Sequence, residues 1–570
     1  MTPHRSLRVL LALGLALGIA SSPGARAVHG EATLGHRGAV APQEIDPASW
    51  RRVATEHFVL LGDVPLPTLR ELAIDLEALE SLLAGLNPDQ APPPLQADVF
   101  VFSSEETFSR YAPRSSDGGP VAVSGFFLTH PHGDFIAVGG AVSRDARRVL
   151  YHEALHRFVH HHLPQAPLWL NEGLAEFYST LEVGRDVAWV GRPVPEHLAR
   201  LDREGRRPLE ELLAVDSAEH VHQGGRLPAF YAESWALVHY LLAGDGGRAA
   251  IARYTGLLRS GEDPAEAFVT TFGDLRAIDR RIEDHLSRPA HQPLRTLLRA
   301  RVRAGDVEAS ALAAADVHHR LGWLLSHEKP PRVEPARRHL EAALRLDPDH
   351  AGAVAGIGLL EELAGDHGSA RVHYSRAIEL APRDPLPHFL RAHSLARSAA
   401  ALPAEERGSP AAQALLAEAR AGYRRSLALE PDLAEAWAGL GAAWIADRAP
   451  APEGLEALEE ALRRLPARDD VLYNLTLYEA RLGSHVRAAE LYSLLARRAD
   501  PDRLERAREA LLRVDLTHAE RLLRDGRLEE AVAILSRVLQ ETHDRDLAAA
   551  VASRLELLER TVAGGGGSAR

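Results

Sequence analysis

The pattern of apolar positions divides the chain into two stretches of different character. In the first, short apolar runs alternate with helical periodicity. Glu56 to Leu61 reads as a strand, Leu66 to Leu86 repeats Leu and Ile at helical spacing, Leu95 to Phe102 reads as a second strand, and Ser104 to Tyr111 as a short helix. Ser124 to Leu128 and Asp134 to Val138 read as two more strands, joined by the turn Thr129-His130-Pro131-His132-Gly133. A small mixed sheet therefore precedes a long helix from Arg144 to Leu163. That helix contains no Gly or Pro, carries Val149, Leu150, Leu155, Phe158 and Val159 at helical spacing, and is stopped by Pro164. A second helix follows the turn Pro164 to Pro167, with Trp169, Leu170, Leu174, Phe177 and Tyr178 as its buried face. Tyr231 to Tyr240 opens another buried helix, and helical segments continue to about Pro289.

From about Ala311 the pattern becomes Ala/Leu/Arg/Glu-rich helical pairs with an internal repeat. Pro348, Pro382, Pro431, Pro466 and Pro501 follow one another at intervals of 34, 49, 35 and 35 residues, the long interval holding an insertion around Ser398 to Pro410. Ala434-x-x-Trp437-x-x-Leu440-Gly441 and Ala351-x-x-Val354-x-x-Ile357-Gly358 both begin three residues after a repeat proline, so the register agrees. A period near 34 with a proline closing each helix–turn–helix unit is the tetratricopeptide pattern. Each unit buries its apolar face only against its neighbours, which predicts a superhelical solenoid with a surface for a protein partner, or an array that only packs against the first domain.

Composition narrows the class. With 46% hydrophobic and 25% charged residues the chain is an ordinary globular protein. Its net charge of −13 disfavours a nucleic-acid partner. No cysteine is present, which excludes disulfides, thiolate metal sites and lipid attachment through sulfur. At the N-terminus, His4, Arg5 and Arg8 precede the apolar run Val9 to Ala20 and the cleavage pattern Ala25-Arg26-Ala27, an export signal. The protein is expected to be periplasmic or secreted with no membrane span after cleavage, or anchored if the signal is retained.

The chemistry gathers in His152-Glu153-Ala154-Leu155-His156. On a helix, residues four apart leave the same face, so His152 and His156 can grip one zinc ion. Glu153, beside the first ligand, can accept a proton from a water held in the open fourth position. Glu172, early on the next helix, can face the histidine pair as third ligand. Glu176 lies on the same face as Glu172 and can fix the tautomer of a zinc histidine. The remaining histidines read differently. His130 and His132 belong to a turn, His160 to His162 to a helix end, and His197, His220 and His222 to a polar segment without ligand geometry.

The motif His152-Glu153-x-x-His156 followed by Asn171-Glu172-Gly173-x-x-Glu176 resembles the gluzincin clan of zinc metallopeptidases, and Leu168 to Phe177 resembles the bacterial peptidase MA-like domains, which often precede helical repeats. The resemblance implies His152, His156 and Glu172 as ligands and Glu153 as general base; Asn171 and Glu176, on the same helix as Glu172, are the candidates to support the ligands. The gap from His156 to Glu172 is shorter than in the well-known members. The same domains carry a Tyr-x-x-Ser stretch similar to Tyr231-Ala232-Glu233-Ser234, which makes Tyr231 a candidate to steady an oxyanion; a core aromatic is the other reading. In the clan an edge strand pairs with extended substrate, and Phe135 to Gly139 is the candidate here.

The expectation is an α+β metallopeptidase domain followed by an all-α tetratricopeptide solenoid: signal peptide 1–27, flexible leader 28–47, metallopeptidase domain 48–290, helical connector 291–310, repeat array 311–560 and flexible tail 561–570. The expected cofactor is one Zn2+ per chain, the substrate a peptide or protein. Two alternatives remain open: a non-catalytic repeat scaffold with a vestigial or structural zinc, and a zinc hydrolase of non-peptide amides.

Overall fold

Continuous apolar runs form the inner strands of a mixed sheet, and periodic segments form the helices that cover it. A computed structural model describes residues 45–565 except 85, 87–95, 115–118, 120, 122, 132, 141–142, 216–226, 245, 289–291, 299–306, 404, 447–450, 467 and 498–500. The signal peptide, nearly all of the leader, His132, His220, His222 and the end of the tail lie outside the described residues. No helix among the described residues is long and apolar enough to cross a membrane.

The chain begins with β1 (Arg51–Ala54), β2 (Phe58–Gly62), α1 (Leu66–Leu83), β3 (Ala97–Val101), α2 (Glu105–Ser109), β4 (Gly125–His130) and β5 (Gly133–Val138). Then come α3 (Arg144–His162), α4 (Leu168–Tyr178), β6 (Glu182–Val183), β7 (Val187–Val190), α5 (Pro195–Glu204), α6 (Leu209–Leu213), α7 (Leu227–Ala243), α8 (Gly247–Arg259), α9 (Pro264–Phe272) and α10 (Leu275–Leu286). Two strands, β8 (Leu294–Leu297) and β9 (Glu308–Ala311), complete the sheets. The larger sheet has the order β4-β5-β3-β2-β1-β9, and β6-β7-β8 form a smaller one. β2, β3 and β5 run parallel, with Leu60 beside Val99 and Val99 beside Ile136; β1, β4 and β9 are antiparallel to their neighbours. The apolar side chains of α1, α3 and the inner strands make one buried core.

Three expectations are corrected here. Phe135 to Gly139 is not an edge: β5 sits between β4 and β3, and β4 ends the row. The burial of Phe135 to Val138 explains this, since a strand covered on both faces reads as a continuous apolar run, whereas β4 is half-buried along most of its length. The connector 291–310 is not helical where it is described. Leu294–Leu297 pairs with β7 and Glu308–Ala311 with β1, and both strands stay largely exposed, so their pairing rather than an apolar run defines them. The tail is not free from residue 561, because the last helix continues to Gly565.

The chain divides into two compact units, one holding described residues up to Ser394 together with Arg425–Leu433, the other Leu395–Arg424 together with Ala434 onward. The first unit also contains the helical hairpins α11 (Ala314–Ser326) with α12 (Val333–Leu346) and α13 (Ala351–Leu363) with α14 (His367–Leu380). The first hairpin docks on the sheet: Arg320 Nη1 donates to Asp98 Oδ2 over 2.8 Å, Tyr111 Oη lies 3.0 Å from His339 Nε2, and the ring of His327 packs 4.9 Å from that of Phe135. The second unit repeats the same hairpin with α17 (Ala434–Ile445) and α18 (Pro452–Arg464), α19 (Asp469–Leu482) and α20 (His485–Ala496), and α21 (Pro501–Arg524) and α22 (Leu528–Glu541), followed by α23 (Arg545–Gly565). In chain order, α15 (Pro385–Ala401) and α16 (Pro410–Leu429) come after α14 and flank the inserted segment. Pro348, Pro382, Pro431 and Pro466 fall in the breaks between hairpins, and Pro501 starts a helix, where its missing N–H costs nothing.

Burial holds His327 down at about 4 and His162 at about 3, against an ordinary value of 6.5. Unfolding exposes both, so the unfolded chain takes up their protons first. Their contribution is present above pH 6.5 and is lost as pH falls toward the folded values. Urea midpoints at stepped pH should drop between pH 6.5 and 4, and His327→Gln should flatten that slope.

Candidate metal centre

Ser143 caps α3, its Oγ accepting from the Ala146 amide over 3.1 Å, and the helix then runs without interruption through the His-Glu-x-x-His stretch. His152, Glu153, His156 and Arg157 are all buried within this short stretch of α3. Arg157 faces the sheet. Its Nε donates to Asp134 Oδ2 over 2.9 Å and its Nη1 to Glu80 Oε1 over 2.7 Å, while its guanidinium lies 5.2 Å from the Phe58 ring centre. His161, one turn further, is 2.7 Å from the same Asp134 oxygen.

The other face of α3 meets α4. Glu172 Oε2 lies 3.5 Å from His152 Nε2 and 3.7 Å from His156 Nε2. One donor atom from each of the three residues lies within 4.8 Å of the others, and all three residues are buried. The opposite ring nitrogens are held from behind. Asn171 Oδ1 is 3.0 Å from His156 Nδ1, and Glu176 Oε1 is 3.4 Å from His152 Nδ1. An N–H donated at Nδ1 leaves the lone pair on Nε2, so both imidazoles turn a nitrogen able to bind a metal toward Glu172.

Two close approaches set this geometry. Gly173 presents no side chain to α7: a Cβ there would meet Ser234 O at 2.5 Å and Val238 Cγ2 at 2.6 Å. Gly125 lets β4 lie on α3, where a Cβ would meet Val149 Cγ1 at 2.5 Å and Glu153 Cγ at 3.3 Å. The edge strand therefore starts next to Glu153. Tyr231, on α7, is buried with its ring edge-on to His152 at 6.3 Å between centres.

The electrostatics follow from burial and crowding. Burial pushes Glu153 up to about 8; His152 and, more weakly, the Phe127 amide of β4 oppose the rise, and Glu172 adds to it. Burial pulls His152 down, but the carboxylates of Glu172 and Glu176 outweigh it and leave the ring at about 10. Burial also lowers His156. Glu176 is held well below the ordinary carboxylate range despite its burial, through His152 and His197.

The donor set suits a divalent metal. His156 Nε2, Glu172 Oε2 and both oxygens of Glu153 are buried without a well-formed hydrogen bond, and such groups are costly unless something completes them. Two imidazoles and one carboxylate are a common zinc set that leaves a fourth position open. All seven site residues named from sequence come together: His152, His156, Glu172, Glu153, Asn171, Glu176 and Tyr231. His197, read as lacking ligand geometry, is not a ligand but touches the site, with its Nε2 3.0 Å from Glu176 Oε2. His130 ends β4, and its ring packs edge-on 4.6 Å from that of His327.

A family model described as Protein of unknown function (DUF1570) matches residues 148–257. That span begins four residues before His152 and takes in α4, α7 and most of α8, hence all seven site residues. No curated protein matches. Solved structures similar to this chain include MamA from residue 41 to its end, from Desulfovibrio magneticus RS-1, at 18% identity over 35% of this chain and 98% of that one, with a TM-score of 0.27. PilF of Pseudomonas aeruginosa is 17% identical over 42% of this chain and 97% of that one, with a TM-score of 0.31. A thermophilic TPR protein of Thermus thermophilus, TTC0263, is 20% identical over 42% and 99%, with a TM-score of 0.18. The repeat architecture of this chain rests instead on its own helical hairpins and proline period.

Gly173→Ala should destabilise the protein by about 1–3 kcal/mol, because the methyl group forces α4 and α7 apart. Urea unfolding measures it; an unchanged midpoint would mean the two helices separate freely.

Proposed function

We propose that the chain is an exported zinc-dependent peptidase whose repeats bind a protein partner. What supports this reading most is the convergence of His152, His156 and Glu172 on one point, with the buried carboxylate of Glu153 beside them and no well-formed hydrogen bond to hold it. A purely structural site has no use for such a base. Zinc, when bound, supplies a positive charge that polarises a carbonyl, acidifies a water and favours the ionised form of Glu153.

The chain's own residues supply the rest. Glu153 accepts a proton from the attacking water and returns it to the leaving amine. Tyr231, beside His152, offers a hydroxyl to the oxyanion. β4 supplies backbone N–H and C=O groups along the open end of the sheet, next to Glu153, where an extended peptide can add as a further strand. This edge favours a peptide over a non-peptide amide, which could not pair along it.

Purified protein should carry about one zinc per chain by elemental analysis, and Glu172→Ala should lose it. Glu153→Gln should keep the metal while hydrolysis of a mixed quenched-peptide library falls by roughly 10²–10⁴-fold. Full activity in Glu153→Gln would rule out the general-base role. Wild-type protein that binds zinc but cleaves nothing would favour the scaffold reading.

A further inference from the structure

Glu176 is held at both of its oxygens. Oε1 faces His152 Nδ1 at 3.4 Å, and Oε2 lies 3.0 Å from His197 Nε2, with Arg148 Nη2 at 3.7 Å from the same oxygen. We propose that His197 is a positioning residue of the metal centre, fixing the plane of the Glu176 carboxylate so that Glu176 aims His152. The inference rests on the metal-centre reading above.

A carboxylate anchored at one oxygen still turns about its Cγ–Cδ bond. An imidazole N–H on the second oxygen removes that freedom and sets the direction in which the first oxygen accepts. His197 is itself built into place. The chain leaving β7 crosses the end of α4, where the Gly191 amide donates to Phe177 O over 3.1 Å and the Arg192 amide to Thr180 Oγ1 over 3.0 Å. Val194 is buried, Pro195 opens α5, and the His197 ring packs 5.9 Å from the Trp235 ring of α7. Three helices thus contribute one link each: His152 from α3, Glu176 from α4 and His197 from α5. Groups two steps from a metal commonly change its affinity by about 10–100-fold. His197 stands three steps away, so an effect at the low end is expected.

The test uses the full-length, metal-free protein titrated with Zn2+ against a chromophoric chelator, with urea unfolding of the same samples. His197→Ala should weaken zinc binding about tenfold. His197→Gln, whose amide N–H can replace Nε2–H, should restore most of it. In a Glu176→Ala background, His197→Ala should add nothing further. Should the alanine variant fail to fold, His197→Leu keeps the apolar contact with Trp235 and removes only the donor. An unchanged zinc Kd, a loss that glutamine does not repair, or a loss that persists without Glu176 overturns the assignment while leaving the metal centre standing. Failure of the wild-type protein to bind zinc removes both.

Discussion

Charge cannot be buried alone, and α3 buries four ionisable side chains within six residues. The rest of the domain answers that constraint. On the sheet side, Asp134 from β5 and Glu80 from α1 neutralise Arg157, which ties the helix to the strands through ion pairs as well as apolar contact. On the other side, α4 must bring carboxylates to His152 and His156, so it has to pack closely on both α3 and α7. A glycine at position 173 makes that approach possible. The result is a helix clamped on two faces, with Glu153 turned toward the edge strand.

Much of this was legible in the residue pattern. The three candidate ligands lie on two periodic helices whose joining turn is short, so spacing brings His152, His156 and Glu172 together. Asn171 and Glu176 flank Glu172 on the same helix and come with it. The elements that escaped are those created by pairing rather than by propensity. β1, β6, β7, β8 and β9 are two to four residues long and carry no strong local signal. The strand facing the site is not marked in the residue pattern, because a buried central strand and an edge strand differ by what covers them. His197 escaped for a similar reason: it is a single histidine on a polar helix, and only the turn of the chain over α4 brings it to Glu176.

The repeat region shows the opposite balance. There the helix–turn–helix unit recurs along the chain, so the proline period carries nearly all of the information. The exception is the 49-residue interval, where both helices flanking the insertion are longer than their counterparts in the neighbouring hairpins.

The pairing of β9 with β1 has a bearing on how the molecule is made. Arg51 lies opposite Ala311, so the edge strand opposite β4 in the site-bearing sheet comes from beyond residue 300, after every helix around the candidate site. Closing a loop of that length adds little to the equilibrium cost, which grows only with the logarithm of chain length. It matters for the order of events. A chain emerging from its N-terminus first presents β1 with an open edge until the segment past α10 arrives, and an open edge is a template for another chain. The short sheet segment that looks like a linker therefore closes one edge of the sheet, and a chain that stops before it keeps that edge open to pairing with another chain.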